Sequence, residues 1–204
     1  MKRNNILVIL AAVLMFLHLS VGCAQQADAL IKNEEIGEIK GVGINIKGLS
    51  SGLYITNVIN ALKTVERVQE VKIVDLNTGK IEVVFSAGSS ISLSQLETKI
   101  IQAVKEGGCA CDALEKIIAT GSVKEDEHGF YLNIEKSADK VYLLERAATA
   151  DYKGALTRKF KKYQANIKQW FEKKSMLQVR GAVQKRNGLR VFSTVPDLEI
   201  KETQ

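Results

Sequence analysis

Proline is almost missing from this chain: Pro196 is its single example, which excludes a proline-rich linker protein. Cysteine occurs only at 23, 109 and 111, too few for a dense disulfide scaffold. Histidine occurs only at 18 and 128, which leaves no material for a His-rich metal site. Aromatic residues make up 6% of the chain, so any core must be built mainly from Ile, Val and Leu. There is no P-loop, nucleophile elbow or HExxH signature. A lone His128 offers no partner for a nucleophile. The carboxylate groups Glu34-Glu35 and Glu125-Asp126-Glu127 fall in polar stretches, where charges are ordinarily hydrated. General acid–base catalysis needs positioned, perturbed groups, so enzymatic activity is not expected. What remains is an ordinary globular composition over 204 residues, 46% hydrophobic and 25% charged, consistent with one or two domains.

The first segment reads as an address. Lys2 and Arg3 precede an apolar run, Ile6 to Leu19, of 14 residues. That is short of the roughly 20 needed to span a bilayer and fits a signal-peptide core. Ser20-Val21-Gly22 then supplies small residues before Cys23. This arrangement resembles the bacterial lipoprotein lipobox, although Ser20 stands where that motif prefers Leu. The resemblance implies lipidation of Cys23 and a cell-envelope location. Ala24 after the Cys implies the outer rather than the inner membrane. Cleavage after Ala24 without a lipid, and an uncleaved anchor helix, are the alternatives.

Two blocks of different charge follow. Residues 23–118 carry ten basic and twelve acidic side chains; residues 119–204 carry seventeen and eleven. The break suggests a boundary. In the first block Ile39 to Ile46 alternates as a strand. Ile55, Val58, Ile59 and Leu62 mark one helix face. Val71 to Leu76 and Ile81, Val83 and Phe85 form a hairpin about Asn77-Thr78-Gly79-Lys80. Leu96, Ile100, Ile101 and Val104 line a second helix opened by Ser92 or Ser94 and stopped by Gly107-Gly108. Cys109-Ala110-Cys111 lies at the start of a last strand or in the loop before it. The order β-α-β-β-α-β predicts a ferredoxin-like sandwich.

Residues 40–112 resemble a heavy-metal-associated domain. The likeness rests on Ile46-Lys47-Gly48-Leu49-Ser50, on Ala61-Leu62 with Val65 and Val68-Gln69-Glu70-Val71, on Asp75 through Val83, on Ile100 through Val104, and on Glu106-Gly107-Gly108. The family's metal loop, Gly-Met-Thr-Cys-x-x-Cys, is not kept, since Ser51 and Tyr54 stand where its cysteines belong. The resemblance therefore implies the fold but not the family's own site. It also implies that the loop after the second helix lies beside the lost metal loop. Cys109 and Cys111 are then candidate replacements for a soft metal ion such as copper or mercury. An irregular loop after Gly107-Gly108 is the expected way to bring both sulfurs together. His128 is a candidate third ligand. A strained, redox-active disulfide between the two cysteines and two partly buried thiols with no ion chemistry are the competing readings.

The second block reads as strands at Ile117–Val123, Phe130–Ile134 and Val141–Leu144, a helix over Tyr152–Lys174, then Met176–Val183 and Leu189–Thr194 about the turn Lys185-Arg186-Asn187-Gly188. Three strands, a helix and two strands resemble an OB barrel. From Lys153 to Arg190 there are twelve Lys or Arg and one acid, Glu172. Lys159, Lys161, Lys162, Lys168, Lys173 and Lys174 crowd the helix opposite a stripe of Phe160, Tyr163, Ile167 and Trp170. That face is expected to be solvated, or held against anionic lipid or an acidic envelope protein. Nucleic acid is not an expected partner in an exported chain.

The expected architecture is thus α+β: a signal peptide at 1–22, a tether at 23–37, a ferredoxin-like heavy-metal-associated-like domain at 38–116, and a small basic OB-like β-barrel with one long helix at 117–200. The expected function is soft-metal binding or redox sensing through the Cys-x-Cys pair. The alternative is a non-enzymatic interaction or scaffold protein whose metal site has been lost.

Overall fold

The computed structural model describes residues 36–49, 52–87, 90–145, 158–193 and 198–203, with the side chains of 144–145 and 158–161 outside that description. The expected signal segment, Cys23 and most of the tether lie outside the described residues, as do Ser50 and Ser51.

The hydrophobic alternation near the start of the described chain forms β1 (Ile39–Asn45). Helix α1 (Gly52–Lys63) follows and buries Val58 and Leu62. β2 (Val68–Asp75) and β3 (Lys80–Phe85) make the next hairpin. In its turn the Asp75 carboxylate accepts from Asn77 N and Thr78 Oγ1 at 3.0 and 2.7 Å. Gly79 has φ +69°, and a Cβ there would lie 2.1 Å from Ile46 O. Only glycine fits this position, where Ile46 N donates to Gly79 O at 2.9 Å and closes the hairpin onto the end of β1.

Helix α2 (Leu93–Glu106) begins with a capping box: Ser92 and Gln95 each bond the other's backbone N–H, at 3.3 and 3.4 Å. It ends in a Schellman motif. Gly108 takes φ +85°, Cys109 N donates to Val104 O at 3.1 Å, and Gly108 N donates to Lys105 O at 3.0 Å.

β4 (Leu114–Asp126), β5 (Gly129–Ile134), a short 3₁₀ turn (Glu135–Ser137) and β6 (Asp139–Glu145) follow. Helix α3 (Arg158–Lys173) leads to β7 (Met176–Arg186), β8 (Leu189–Phe192) and β9 (Glu199–Glu202). Asn187 and Gly188 both have positive φ, 49° and 79°, as a type I′ turn between β7 and β8 requires.

The strand order is β2-β3-β1-β4-β5-β6-β8-β7-β9, and an added β4–β7 pairing closes five of these strands into a barrel. Among the described residues the structure is therefore a mixed α/β fold: a closed five-strand barrel with extra strands and three helices. β6 and β8 are parallel at Tyr142 and Val191; the other pairings are antiparallel.

β4 joins everything. One edge carries β1 along Leu114–Ala119 and then β5 along Ser122–Asp126. The other edge carries β7 along Lys116–Ser122. The boundary expected at 116/117 thus falls inside a continuous strand, and the described residues form one compact unit. A single core runs from Ile39, Val58 and Ile100 through Ile117 and Ala119 to Leu132, Ile167, Val179 and Phe192. A second, smaller cluster unites Tyr131, Tyr142 and Val191. β9 is an element that the sequence reading does not contain.

Candidate functional site

The Schellman turn delivers Cys109-Ala110-Cys111 into an extended segment. Lys47 N donates to Ala110 O at 2.8 Å and Ala110 N donates to Lys47 O at 3.3 Å, an antiparallel bridge. Lys47 lies immediately before Gly48 and Leu49. The first turn of α1 is adjacent, since a Cβ on Gly108 would lie 3.2 Å from the Tyr54 ring. The cysteine segment therefore lies beside Lys47 and, through Gly108, beside the first turn of α1.

Ala110 pairs with Lys47 between the two cysteines, in a single isolated bridge. Residues two apart on an extended segment share a face. Ala110 is exposed, Cys109 half-buried and Cys111 buried, and both cysteines contact the core. Both are free thiols, and Cys111 Sγ donates to Ala113 O at 3.5 Å. Burial pushes both thiols up from the ordinary cysteine value; for Cys111 the nearby charges of Asp112, Glu115 and Glu97 push in the same direction. The pair is protonated at neutral pH, so it is a weak nucleophile. Two residues of extended chain span about 6.6 Å between Cα atoms, the upper end of what a disulfide bridges.

His128 is at the far end of β4, in the exposed turn between β4 and β5. A 13-residue strand lies between it and the cysteines. The structure does not bring it to them. Its neighbours are Glu127, at 3.4 Å, and the edge of Tyr142, with ring centroids 6.1 Å apart. Tyr142 also donates to Asp126 at 3.0 Å, and Lys140 bonds the same carboxylate oxygen while lying 4.6 Å from the Tyr131 ring centre. Burial and the bond to Asp126 push the Tyr142 phenol up to about 12. Among the described residues no group of three or more His, Cys, Asp and Glu side chains gathers as a metal centre.

Of the expected basic face, Lys162, Lys168, Lys173 and Lys174 are exposed on α3 or just after it. Lys159 and Lys161 belong to the same helix, with side chains outside the description. On the opposite stripe Ile167 is fully buried, Trp170 packs against the core and Tyr163 donates to Leu143 O at 3.0 Å, while the side chain of Phe160 lies outside the described residues. Among the described residues no helix is long and apolar enough to cross a membrane.

Sequence reasoning missed the buried carboxylates. Glu97, on α2, accepts from Lys185 and Arg190 at 2.8 and 2.7 Å and from Leu114 N at 3.3 Å. Glu82, on β3, pairs with Arg180 of β7 at 2.7 Å. Glu38, before β1, pairs with Lys40 and with Lys136, the latter at 2.5 Å. Arg180 reaches Glu82 across β4 and β1, over the row that contains Gly41 and Gly43. A shallow groove of about 160 Å³ lies on this side, lined by Ile118, Gln178, Arg180, Glu199 and Lys201.

No family model matches this chain, no curated protein matches it, and no solved structure matches it.

Proposed function

We propose that the chain is a non-enzymatic binding protein of the cell envelope that holds a soft metal ion of the Cu(I) or Hg(II) class between Cys109 and Cys111. What supports this reading is that two free thiols flank Ala110, which bridges to Lys47, and that Gly108 lies against Tyr54 in the first turn of α1. Two sulfur donors suit a two-coordinate soft ion better than tetrahedral zinc. Raised thiols oppose rapid redox chemistry, but a thiophilic ion displaces their protons on binding. His128 has no part in this site.

The helix–strand order of residues 39–126, with strands ordered β2-β3-β1-β4, supports a ferredoxin-like, heavy-metal-associated-type half. The closed five-strand barrel with α3 between β6 and β7 supports an OB-like half. In the same reading Cys23 carries the lipid anchor, and the exposed lysines of α3 face anionic headgroups.

The test is an anaerobic Cu(I) titration of the reduced full chain against a competing chelator, beside the Cys109→Ser/Cys111→Ser double variant. One equivalent bound tightly by the wild type and lost in the variant is expected; equal, weak binding by both defeats the metal reading. The burial of Cys111, 7% exposed, favours a second reading in that event: an interaction protein whose cysteines only fill the core.

A further inference from the structure

β2 is the outermost strand of the sheet and pairs only with β3 among the described residues. Its second half and the turn after it carry Ile73, Val74 and Leu76, which are 43%, 62% and 46% exposed. A long strand edge with exposed apolar side chains and no proline is a template for pairing with another chain. The charges on β2 indicate which chain. Glu70 and Lys72 are opposite Val84 and Glu82 of β3, so they share the sheet face away from α1 and α2. Val71, opposite Val83, points to the helix side. Antiparallel pairing of two β2 strands about a two-fold axis at Val71 puts Glu70 of each copy opposite Lys72 of the other. Within one copy Lys72 Nζ already lies 3.2 Å from Glu70, and across the axis the two pairs join into an alternating four-charge row. Shifting the centre to Glu70 or to Lys72 instead stacks like charges on the axis, so the charges favour Val71 over either neighbour.

We propose that β2 is a homodimerisation edge: a second copy of this chain pairs antiparallel along Val68–Asp75, centred on Val71, and continues the sheet across the two-fold axis. The contact is small, so the dimer is weak and concentration-dependent. Tethering both copies to one membrane would raise their effective concentration. This inference does not depend on any metal at the cysteines.

Sedimentation of the full chain in detergent, over a concentration series, reads the association. Glu70→Lys or Lys72→Glu alone is expected to raise the dimer dissociation constant about tenfold, since each places two like-charge pairs across the axis. The Glu70→Lys/Lys72→Glu double variant is expected to restore it. Register is read separately by mild oxidation. Val71→Cys is expected to cross-link, because directly opposed residues lie within disulfide reach. Val74→Cys, well off the axis, is expected to stay uncross-linked. A wild type that remains monomeric at every concentration overturns the proposal. So does a dimer indifferent to both charge reversals, or one in which Val71→Cys cross-links no faster than Val74→Cys.

Discussion

Glu97 lies between Leu96 and Ile100 on the apolar stripe of α2, four residues after Leu93, and is 8% exposed. A charged group persists there because Lys185 and Arg190 reach it from the β7–β8 hairpin and Leu114 N from the start of β4. Burial pushes its carboxyl up, but the bonds from Lys185 and Arg190 and the charge of Arg190 outweigh this, and the net shift is below the ordinary carboxylate value. Removing it strands Arg190, whose side chain is 11% exposed. Glu97→Ala is therefore expected to cost about 3 kcal/mol in urea unfolding at neutral pH. The pH dependence has a fixed sign. A carboxyl lower in the folded than in the unfolded state contributes stability above its unfolded value, near 4.3, and loses it as pH falls through the folded value. The stability gap between wild type and Glu97→Gln should therefore close on acidification, and a gap that widens in acid would refute the assignment. The sequence holds a signal for this residue, an acid inside an apolar stripe, but acids on helices are by default read as solvent-facing. Neither Lys185 nor Arg190, some 90 positions away, announces itself as a partner.

At the scale of elements, α3 shows how a basic helix divides its labour. Ile167 is fully buried and Lys168, the next residue, is exposed. Ile167→Ala is expected to destabilise by about 3 kcal/mol through a cavity against the barrel. Lys168→Ala should stay within about 0.5 kcal/mol, because a solvated lysine touches nothing that folding needs. Chemical denaturation of both variants checks the contrast, and a comparable loss in each would mean that the lysine face is structural. Most elements were legible because their periods are clean: 2 in β1 and β3, 3.6 in α1 and α2, with Ser92 and Gly107-Gly108 marking the ends of α2. The position of the cysteines was legible for the same reason, since a glycine pair fixes where the helix stops. Two elements were not. β4 runs through the change of charge near residue 118, because surface charge reports solvent and partners rather than strand pairing. β9 is four residues long with Ile200 its one apolar side chain, too short and polar to show a period. The boundary read near residue 117 falls inside β4, which pairs with both halves.

That shared strand has a consequence for how the whole molecule unfolds. β4 supplies one edge to β1 and β5 and the other to β7, so neither half keeps its sheet without it. Side chains tie the halves again away from β4: Glu97 to Lys185 and Arg190, Glu82 to Arg180, Glu38 to Lys136, and Leu93 N to Asp139 at 2.7 Å. The core is continuous across them. Two independently folding domains would unfold in two steps; a molecule joined in this way should unfold in one. The chain carries its own reporters. Trp170, its only tryptophan, packs against the core from α3, while Cys109 and Cys111 sit at the opposite end of β4 beside α1. Urea titrations followed by Trp170 fluorescence and by thiol labelling of Cys109 and Cys111 are expected to share one midpoint, at pulse times too short for labelling to draw the equilibrium. Glu97→Ala should lower both midpoints together, although Glu97 is on α2 and Trp170 on α3. Distinct midpoints, or a Trp170 transition unmoved by Glu97→Ala, would mean that the barrel folds without the helix-covered half.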